Sequence, residues 1–377
     1  TTIRIYSSIN KRIKLIMAYT TVNNSKQNMN TKRWVGNNST QTISGIGFQP
    51  DLAIMKKIED SSSSNFAVQS SSQGLDTAIF TNVNTAQSTS LANAITAFNS
   101  DGYAIGNWGV INGNGDSFCS WNWKANGQGS SNTDGTINSE YTSANTTAGF
   151  SVVTFTGTGA TATVGHGLGV KPAMIWIKVR NNTDDWNVWM GNKSSNQIGL
   201  LNESSGFYTP GTATIDAATT TTDVIGLGAG SPANRSGAPI VAYCWAEIPG
   251  YSKFNTYVGN GSTTDGRFVY TGFAPTMVVC KTTGNDSWMV YTDKISGSTA
   301  PTGSALSGTF NRHNRFTEFN NAGATQSAGT NQGMDMLSNG FKLFEDNGNL
   351  NGSGQEYVYM AWGQSIVGTN NVPANAR

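Results

Sequence analysis

The chain has 377 residues, of which only 12% are charged, and its 23 Lys and Arg nearly balance its 22 Asp and Glu. Charged residues make up about a quarter of an ordinary globular protein, and a net charge of +1 gives no general attraction to nucleic acid or anionic membranes. No stretch approaches the ~20 consecutive apolar residues that a membrane-spanning helix needs. We therefore expect no membrane association and no nucleic-acid partner.

The first segment, residues 1–33, is a basic arm. It holds seven Lys and Arg and no acidic residue, and the first acid is Asp51. Apolar residues such as Ile3 and Ile13 separate the charges, which is more apolar content than a nucleic-acid-binding tail needs. A disordered tail is the alternative. The pattern favours an arm that docks on a neighbouring protein, with assembly contacts at Arg4, Lys11, Arg12 and Lys14.

After the arm, four sequence landmarks recur three times in the same order, which indicates internal repeats. The first is an aromatic-x-Gly triplet, at residues 34–36, 155–157 and 257–259. The second is Gly-φ-x-Pro-x-φ-x-φ-x-Lys, where φ is apolar, at residues 47–56, 169–178 and 272–281. The third is a further aromatic, at Phe66, Trp186 and Trp288. The last is a closing tryptophan in an apolar run, at Trp123, Trp245 and Trp362.

These landmarks divide the chain into three units and their connections. The first, second and third units are predicted at 34–125, 150–248 and 254–366. Residues 126–149 are rich in Gly, Ser, Asn and Thr and are predicted to be a linker. Residues 367–377 form a C-terminal tail.

Short apolar segments separated by turn residues predict strands in every unit. Asp101-Gly102 and Asn339-Gly340 are hairpin signals, and the residue before a proline favours extended backbone. The sequence therefore predicts an all-β protein of three tandem antiparallel β-sandwich units. The closing tryptophans recur at one register inside apolar strands, so we expect core positions; sugar-stacking surfaces are the alternative.

The sequence contains no recognisable catalytic or metal-binding set. Cys119, Cys244 and Cys280 lie in apolar runs, where a free cysteine packs as a small hydrophobe. His166 and His313 have no spaced metal-ligand partner and are predicted to be exposed loop residues. We expect no enzymatic activity, no catalytic residue, no metal site and no cofactor.

Two tryptophans are the candidates for ligand or partner contact. Trp108 and Trp189 do not recur as Trp in all units, so the core argument applies to them less strongly. A packing role is the alternative for both.

Several motifs resemble a family of tailed-phage virion proteins that are tail-fibre-like or uncharacterised structural proteins. These motifs are the Gly-φ-x-Pro repeat, Ser-Asp-Gly-Tyr-Ala-Ile-Gly at 100–106, Trp-Asn-Trp-Lys-Ala at 121–125 and the run 242–254. The resemblance covers about residues 34–366, with drift at 231–239. It implies jelly-roll or concanavalin-like sandwiches and carbohydrate or surface binding, and it identifies no binding residues.

The sequence thus predicts a phage virion structural protein of the tail-fibre or receptor-binding type, located in the extracellular particle. It would contact host-surface glycans or neighbouring virion proteins through its sandwich loops. The arm would anchor it to other virion proteins, and a homotrimer is the expected assembly. The alternative is a high-copy capsid decoration or head/tail accessory protein with no receptor role; a secreted enzyme or a non-viral lectin is a more distant one.

Overall fold

The computed structural model describes residues 20–58, 63–193, 196–230, 232–295, 312–327, 333–344 and 348–365. The tail 367–377 and the four predicted assembly residues of the arm, Arg4, Lys11, Arg12 and Lys14, lie outside the described residues. Within the described ranges the helices are a 3-10 turn at Ser25–Gln27 and α1 at Gly109–Asn112, and the all-β prediction is confirmed. No helix in this part of the chain is long and apolar enough to cross a membrane.

The first unit contains a large and a small antiparallel sheet. Its strands are β1 (Met29–Val35), β2 (Gln41–Ser44), β3 (Leu52–Lys57), β4 (Ala67–Ser70), β5 (Ile79–Phe80), β6 (Ile95–Asn99), β7 (Gly102–Ile105) and β8 (Ser117–Trp123). The large sheet has the order β1-β8-β3-β4-β5 and the small sheet β2-β7-β6. The predicted arm boundary at residue 33 is wrong, because Lys32 and Arg33 are half-buried positions of β1, which pairs along its length with β8.

The second unit also has eight strands, with one more in its large sheet and one fewer in its small sheet. Its strands are β9 (Tyr141–Asn145), β10 (Phe150–Thr156), β11 (Ala162–Gly165), β12 (Met174–Val179), β13 (Asn187–Met190), β14 (Ile198–Leu200), β15 (Val224–Leu227) and β16 (Pro239–Trp245). The large sheet has the order β14-β13-β12-β16-β10-β9 and the small sheet β11-β15. The predicted linker 126–149 therefore contains a strand, because β9 pairs with β10 and buried Ser143 bonds the Gly127 carbonyl at 2.7 Å.

The third unit has the longest strands. They are β17 (Ser252–Val258), β18 (Phe268–Tyr270), β19 (Ala274–Thr282), β20 (Met289–Thr292), β21 (Arg312–His313), β22 (Arg315–Glu318), β23 (Gln326–Ser327), β24 (Met334–Leu337), β25 (Gly340–Leu343) and β26 (Glu356–Gln364). The large sheet has the order β17-β26-β19-β20-β22-β23 and the small sheet β18-β25-β24-β21. Both predicted hairpins are present, as β6-β7 and β24-β25.

The proline motif occupies the same place in each large sheet. It leads into β3, β12 or β19, and each of these strands pairs with the strand that carries the closing tryptophan. The residue two positions after the proline faces that tryptophan in all three units, in the pairs Leu52–Trp123, Met174–Trp245 and Met277–Trp362. The repeat in the sequence is thus a repeat in strand register.

The three large sheets bury one face against a single shared core. The closing tryptophans meet in it, and each is 1% exposed, as the sequence predicted. Ring centroids are 6.0 Å apart for Trp123–Trp245, 5.3 Å for Trp123–Trp362 and 6.1 Å for Trp245–Trp362, all near T-shaped. Each unit also has a separate core between its own large and small sheets. The units therefore form a closed cluster instead of a string.

Hydrogen bonds between units follow a cyclic order. Trp186 of the second unit donates its indole N–H to the Phe80 carbonyl of the first at 2.7 Å. Trp288 of the third unit donates to the Leu200 carbonyl of the second at 2.8 Å. Thr81 of the first unit donates to the Phe319 carbonyl of the third at 2.7 Å. Each unit thus contacts both others.

Residues 20–28 hold the start of the described chain against the other two units. Val22 is 2% exposed and joins the shared core. Thr21 donates to the Thr147 carbonyl of the second unit at 2.9 Å, and the Ser25 backbone N–H donates to the Gln364 side chain of the third at 2.8 Å. This segment therefore belongs to the folded body.

Candidate functional site

The two tryptophans predicted to contact a ligand occupy packed positions. Trp189 lies in β13, is 1% exposed and packs in the core between the two sheets of the second unit. It is not accessible to a ligand in this structure, so the prediction of a surface contact there is wrong. Trp108 precedes α1, is half-buried and packs against the corresponding core of the first unit, 6.1 Å from the Phe80 ring. It offers only part of its ring.

The histidines and cysteines do not form a reactive site. His166 is fully buried, contrary to the exposed loop position predicted for it. Its Nδ1 accepts the Leu168 N–H at 3.2 Å, its Nε2 lies 3.4 Å from the Thr221 carbonyl, and burial lowers its pKa. The three cysteines are free and buried as predicted, and burial raises the pKa of each thiol to about 12. Among the described residues, no group of three or more His, Cys, Asp or Glu could hold a metal ion.

Two of the exposed aromatic residues in the described part of the chain lie together on β18, the edge strand of the third unit's small sheet. Phe268 is 41% and Tyr270 56% exposed, while Val269 between them is 6% exposed and packs in the core. The alternation of a strand places both rings on the outer face. Aromatic and β-branched side chains favour strands, which explains why this short segment extends despite its exposure.

Two lysines border these rings. Lys253 on β17 places its Nζ 5.4 Å from the centroid of the Tyr270 ring and 3.3 Å from the Tyr270 carbonyl. Lys342 on β25 is paired directly with Phe268, and its Nζ lies 3.0 Å from Asp265. Together Lys253, Phe268, Tyr270 and Lys342 form what we call the aromatic face.

A glycine opens the space beside Tyr270. Gly340 is the strand partner of Tyr270, so no side chain stands opposite the tyrosine. A Cβ placed on Gly340 would lie 3.0 Å from the Phe268 ring, which shows that this ring leans over the glycine backbone. The two aromatic rings therefore share a surface that no third side chain of this strand pair divides.

The aromatic face is confined to the third unit. The strand pair β18-β25 corresponds to β2-β7 in the first unit and β11-β15 in the second, and each pair has a buried aliphatic residue at its centre. Where the third unit has Phe268, Tyr270 and Lys342, the first has Thr42, Ser44 and Ala104, and the second has Thr163, Gly165 and Gly226. The scaffold is repeated, whereas this surface is not.

Sequence reasoning identified the strand at Phe268 but not its exposed rings. The signal that could have revealed the exposed rings is the alternation Phe-Val-Tyr at 268–270. The other units have small residues at the same register. Comparing this register between units requires the residues that pair with β18, and these lie about seventy positions further along the chain. Only the pairing in the folded sheet supplies them.

The fold defines an all-β protein in which three two-sheet units enclose one aromatic core. The chain belongs to a family described as a domain of unknown function, DUF7483, whose model matches residues 24–365. That match covers all three units and most of the segment 20–28 that packs against them. The family model therefore spans the whole closed cluster. No curated protein matches the chain.

Proposed function

We propose that this chain is a structural protein of tailed-phage virions, of the tail-fibre or receptor-binding type, and that it attaches to host-surface glycans. The observation that carries the proposal is the aromatic face, two exposed rings with two lysines at their border on one unit of a rigid scaffold. Exposed aromatic residues grouped with polar side chains are typical of binding surfaces. The proposed role is non-catalytic.

The folded body suits a protein that must persist outside cells. The shared core binds the three units together, and every cysteine is buried and unreactive in the folded state. A near-neutral, Gly-rich composition with few charges leaves little for salt to screen. These features support a virion location.

The proposed anchor is the basic arm. Residues 20–28 are fixed to the second and third units and so belong to the folded body. An anchor test should therefore remove residues 1–19 and keep residue 20 onward, because the core contains Val22. Full incorporation of such a truncated chain into particles would contradict the anchor. The homotrimer stays a prediction, which light scattering of the purified chain measures.

Quantitative mass spectrometry of purified virions tests the function itself. The proposal expects the chain at low copy number, as for tail-tip proteins. A copy number close to that of the major capsid protein would instead support the capsid decoration role with no receptor. Absence of the chain from purified particles would contradict both.

A further inference from the structure

We infer that the aromatic face binds one pyranose residue of a saccharide by stacking, and that each chain carries a single such site. This inference rests on the proposed function, since it names the ligand class and the valency of that surface. It is supported by the two rings, the polar groups at their border, the size of the surface and the residues of the other two units.

The rings match the apolar side of a sugar ring. A pyranose has C–H groups on its faces and hydroxyls around its edge, so a flat aromatic surface removes the C–H groups from water while leaving the hydroxyls outside. Phe268 leans over the Gly340 backbone, and Tyr270 is 56% exposed beside it with no opposing side chain. A tyrosine at such a position also offers its hydroxyl as a hydrogen-bonding group.

The bordering charges supply both donors and acceptors. Sugar hydroxyls donate and accept hydrogen bonds, so a site for them needs both kinds of partner. The ammonium groups of Lys253 and Lys342 donate, and the Asp265 carboxylate, whose side chain is 92% exposed beside Lys342, accepts. Asp265 neutralises Lys342, and the Tyr270 carbonyl and ring already contact the Lys253 ammonium, so the charges favour a neutral hexopyranose over a strongly anionic one.

The exposed ring surface alone is too small for a stable protein interface. Two aromatic side chains that are 41% and 56% exposed present on the order of 200 Å² of ring surface. A stable protein interface covers about 800 Å² on each partner, so these rings alone fall well short of one. A single sugar ring suits them.

The other two units do not have the required side chains. At the register of Phe268, Tyr270 and Lys342, the first unit has Thr42, Ser44 and Ala104, none of which offers a ring or a cation. The second unit has Thr163, Gly165 and Gly226 there. This register of the three described units therefore provides one site, and avidity must come from several copies on one particle.

The first experiment measures binding of the purified full chain to immobilised glucan, mannan, galactan, chitin and alginate fragments. We expect binding to at least one neutral hexose polymer and weaker binding to alginate. The double variant Phe268→Thr/Tyr270→Ser, which introduces the residues of the first unit, should lose at least tenfold in affinity with an unchanged Tm. Tyr208→Ser, at an aromatic residue of the second unit that is 43% exposed, is the matched control and should bind as the parent does. Binding to none of the polymers, or full binding by the double variant, would overturn the site.

The second experiment transfers the site. Thr42→Phe/Ser44→Tyr/Ala104→Lys should give the first unit an equivalent surface and raise the number of saccharides bound per chain from one to two, measured by calorimetric titration. A parent chain that binds three per chain would overturn the single-site inference. Particle mass spectrometry separates the two proposals. A chain present in virions without saccharide binding contradicts the site alone, and saccharide binding by a chain absent from virions contradicts the virion role alone.

Discussion

Each unit buries one lysine at the end of its proline motif, and all three residues are 0% exposed: Lys56, Lys178 and Lys281. Lys178 Nζ donates to the carbonyls of Val179 at 2.7 Å and Asn182 at 3.2 Å, which fixes the turn after β12. The corresponding bonds run from Lys56 to Ser64 and Ala322, and from Lys281 to Thr282 and Gly284. Desolvation lowers the pKa of each of these lysines to about 8.

Because the pKa of these lysines is low in the folded chain, we expect the free energy of unfolding to rise between pH 7 and 8.5. The unfolded chain keeps lysines near their ordinary pKa of 10.5 and so binds more protons than the folded chain above about pH 8. The free energy of unfolding should rise by about 1–2 kcal/mol over that interval. Urea unfolding at each pH measures it.

The buried thiols set the upper limit of this window. Their folded pKa of about 12 exceeds the ordinary value of 9.0, so from about pH 9 the ionisation of the unfolded thiols offsets the rise due to the lysines. Lys178→Met should remove about a third of the rise, whereas Lys124→Met, at an exposed position, should leave it unchanged. A free energy of unfolding that falls between pH 7 and 8.5 would contradict the lowered pKa of these buried lysines.

At the scale of elements, one asparagine in each unit ties the segment before the closing strand to the residues that follow the aromatic-x-Gly triplet. The Asn234 side chain accepts the Thr158 N–H at 2.8 Å and donates to the Ala160 carbonyl. Asn112 and Asn351 make the same bonds in the other units. The glycine of the aromatic-x-Gly triplet permits this approach, because a Cβ on Gly157 would lie 2.3 Å from the Arg235 carbonyl oxygen.

Gly157→Ala should therefore separate β10 from that segment and weaken the Asn234 bonds. We expect a loss of about 2 kcal/mol or more in the free energy of unfolding, measured by urea denaturation. Gly211→Ala is the matched control, because a Cβ there meets nothing within 4 Å. Equal stability of the two variants would contradict the close packing.

At the scale of the molecule, stability is shared among the units. Trp176, Tyr243 and Trp245 of the second unit face the shared core. Trp123 and Trp362 of the other units contact Trp245, and Phe319 of the third unit contacts Trp176. A unit taken alone would expose that face to water, and large apolar surfaces of this kind cause aggregation.

The second unit, expressed alone as residues 126–248, should therefore fail to fold as a monomer. We expect aggregation or poor dispersion in its NMR spectrum. A chain of residues 20–365, which contains all three units, should instead unfold in a single thermal transition. Tryptophan fluorescence and circular dichroism should both detect it. A well-dispersed spectrum of the excised unit, or three separate transitions of the body, would contradict the shared core.

Local patterns in the amino-acid sequence predict the strand class, the three-fold repetition and the burial of Trp123, Trp245 and Trp362. These depend on local alternation, turn residues and spacing, which the order of residues records directly. It also placed the three cysteines in buried strands. The arm boundary and the linker were misjudged because Lys32, Arg33 and the polar residues around β9 resemble loop composition, although long-range strand pairing holds them.

The tertiary structure determines which face of each unit other sheets and units cover. Periodicity shows that residues share a face, but a sheet or a unit formed by distant residues determines whether that face meets water. For this reason Trp189 and His166 proved buried, while Phe268 and Tyr270 proved exposed at a register where the other units have small residues. The closed cluster and the single aromatic face both arise from contacts between segments far apart in sequence.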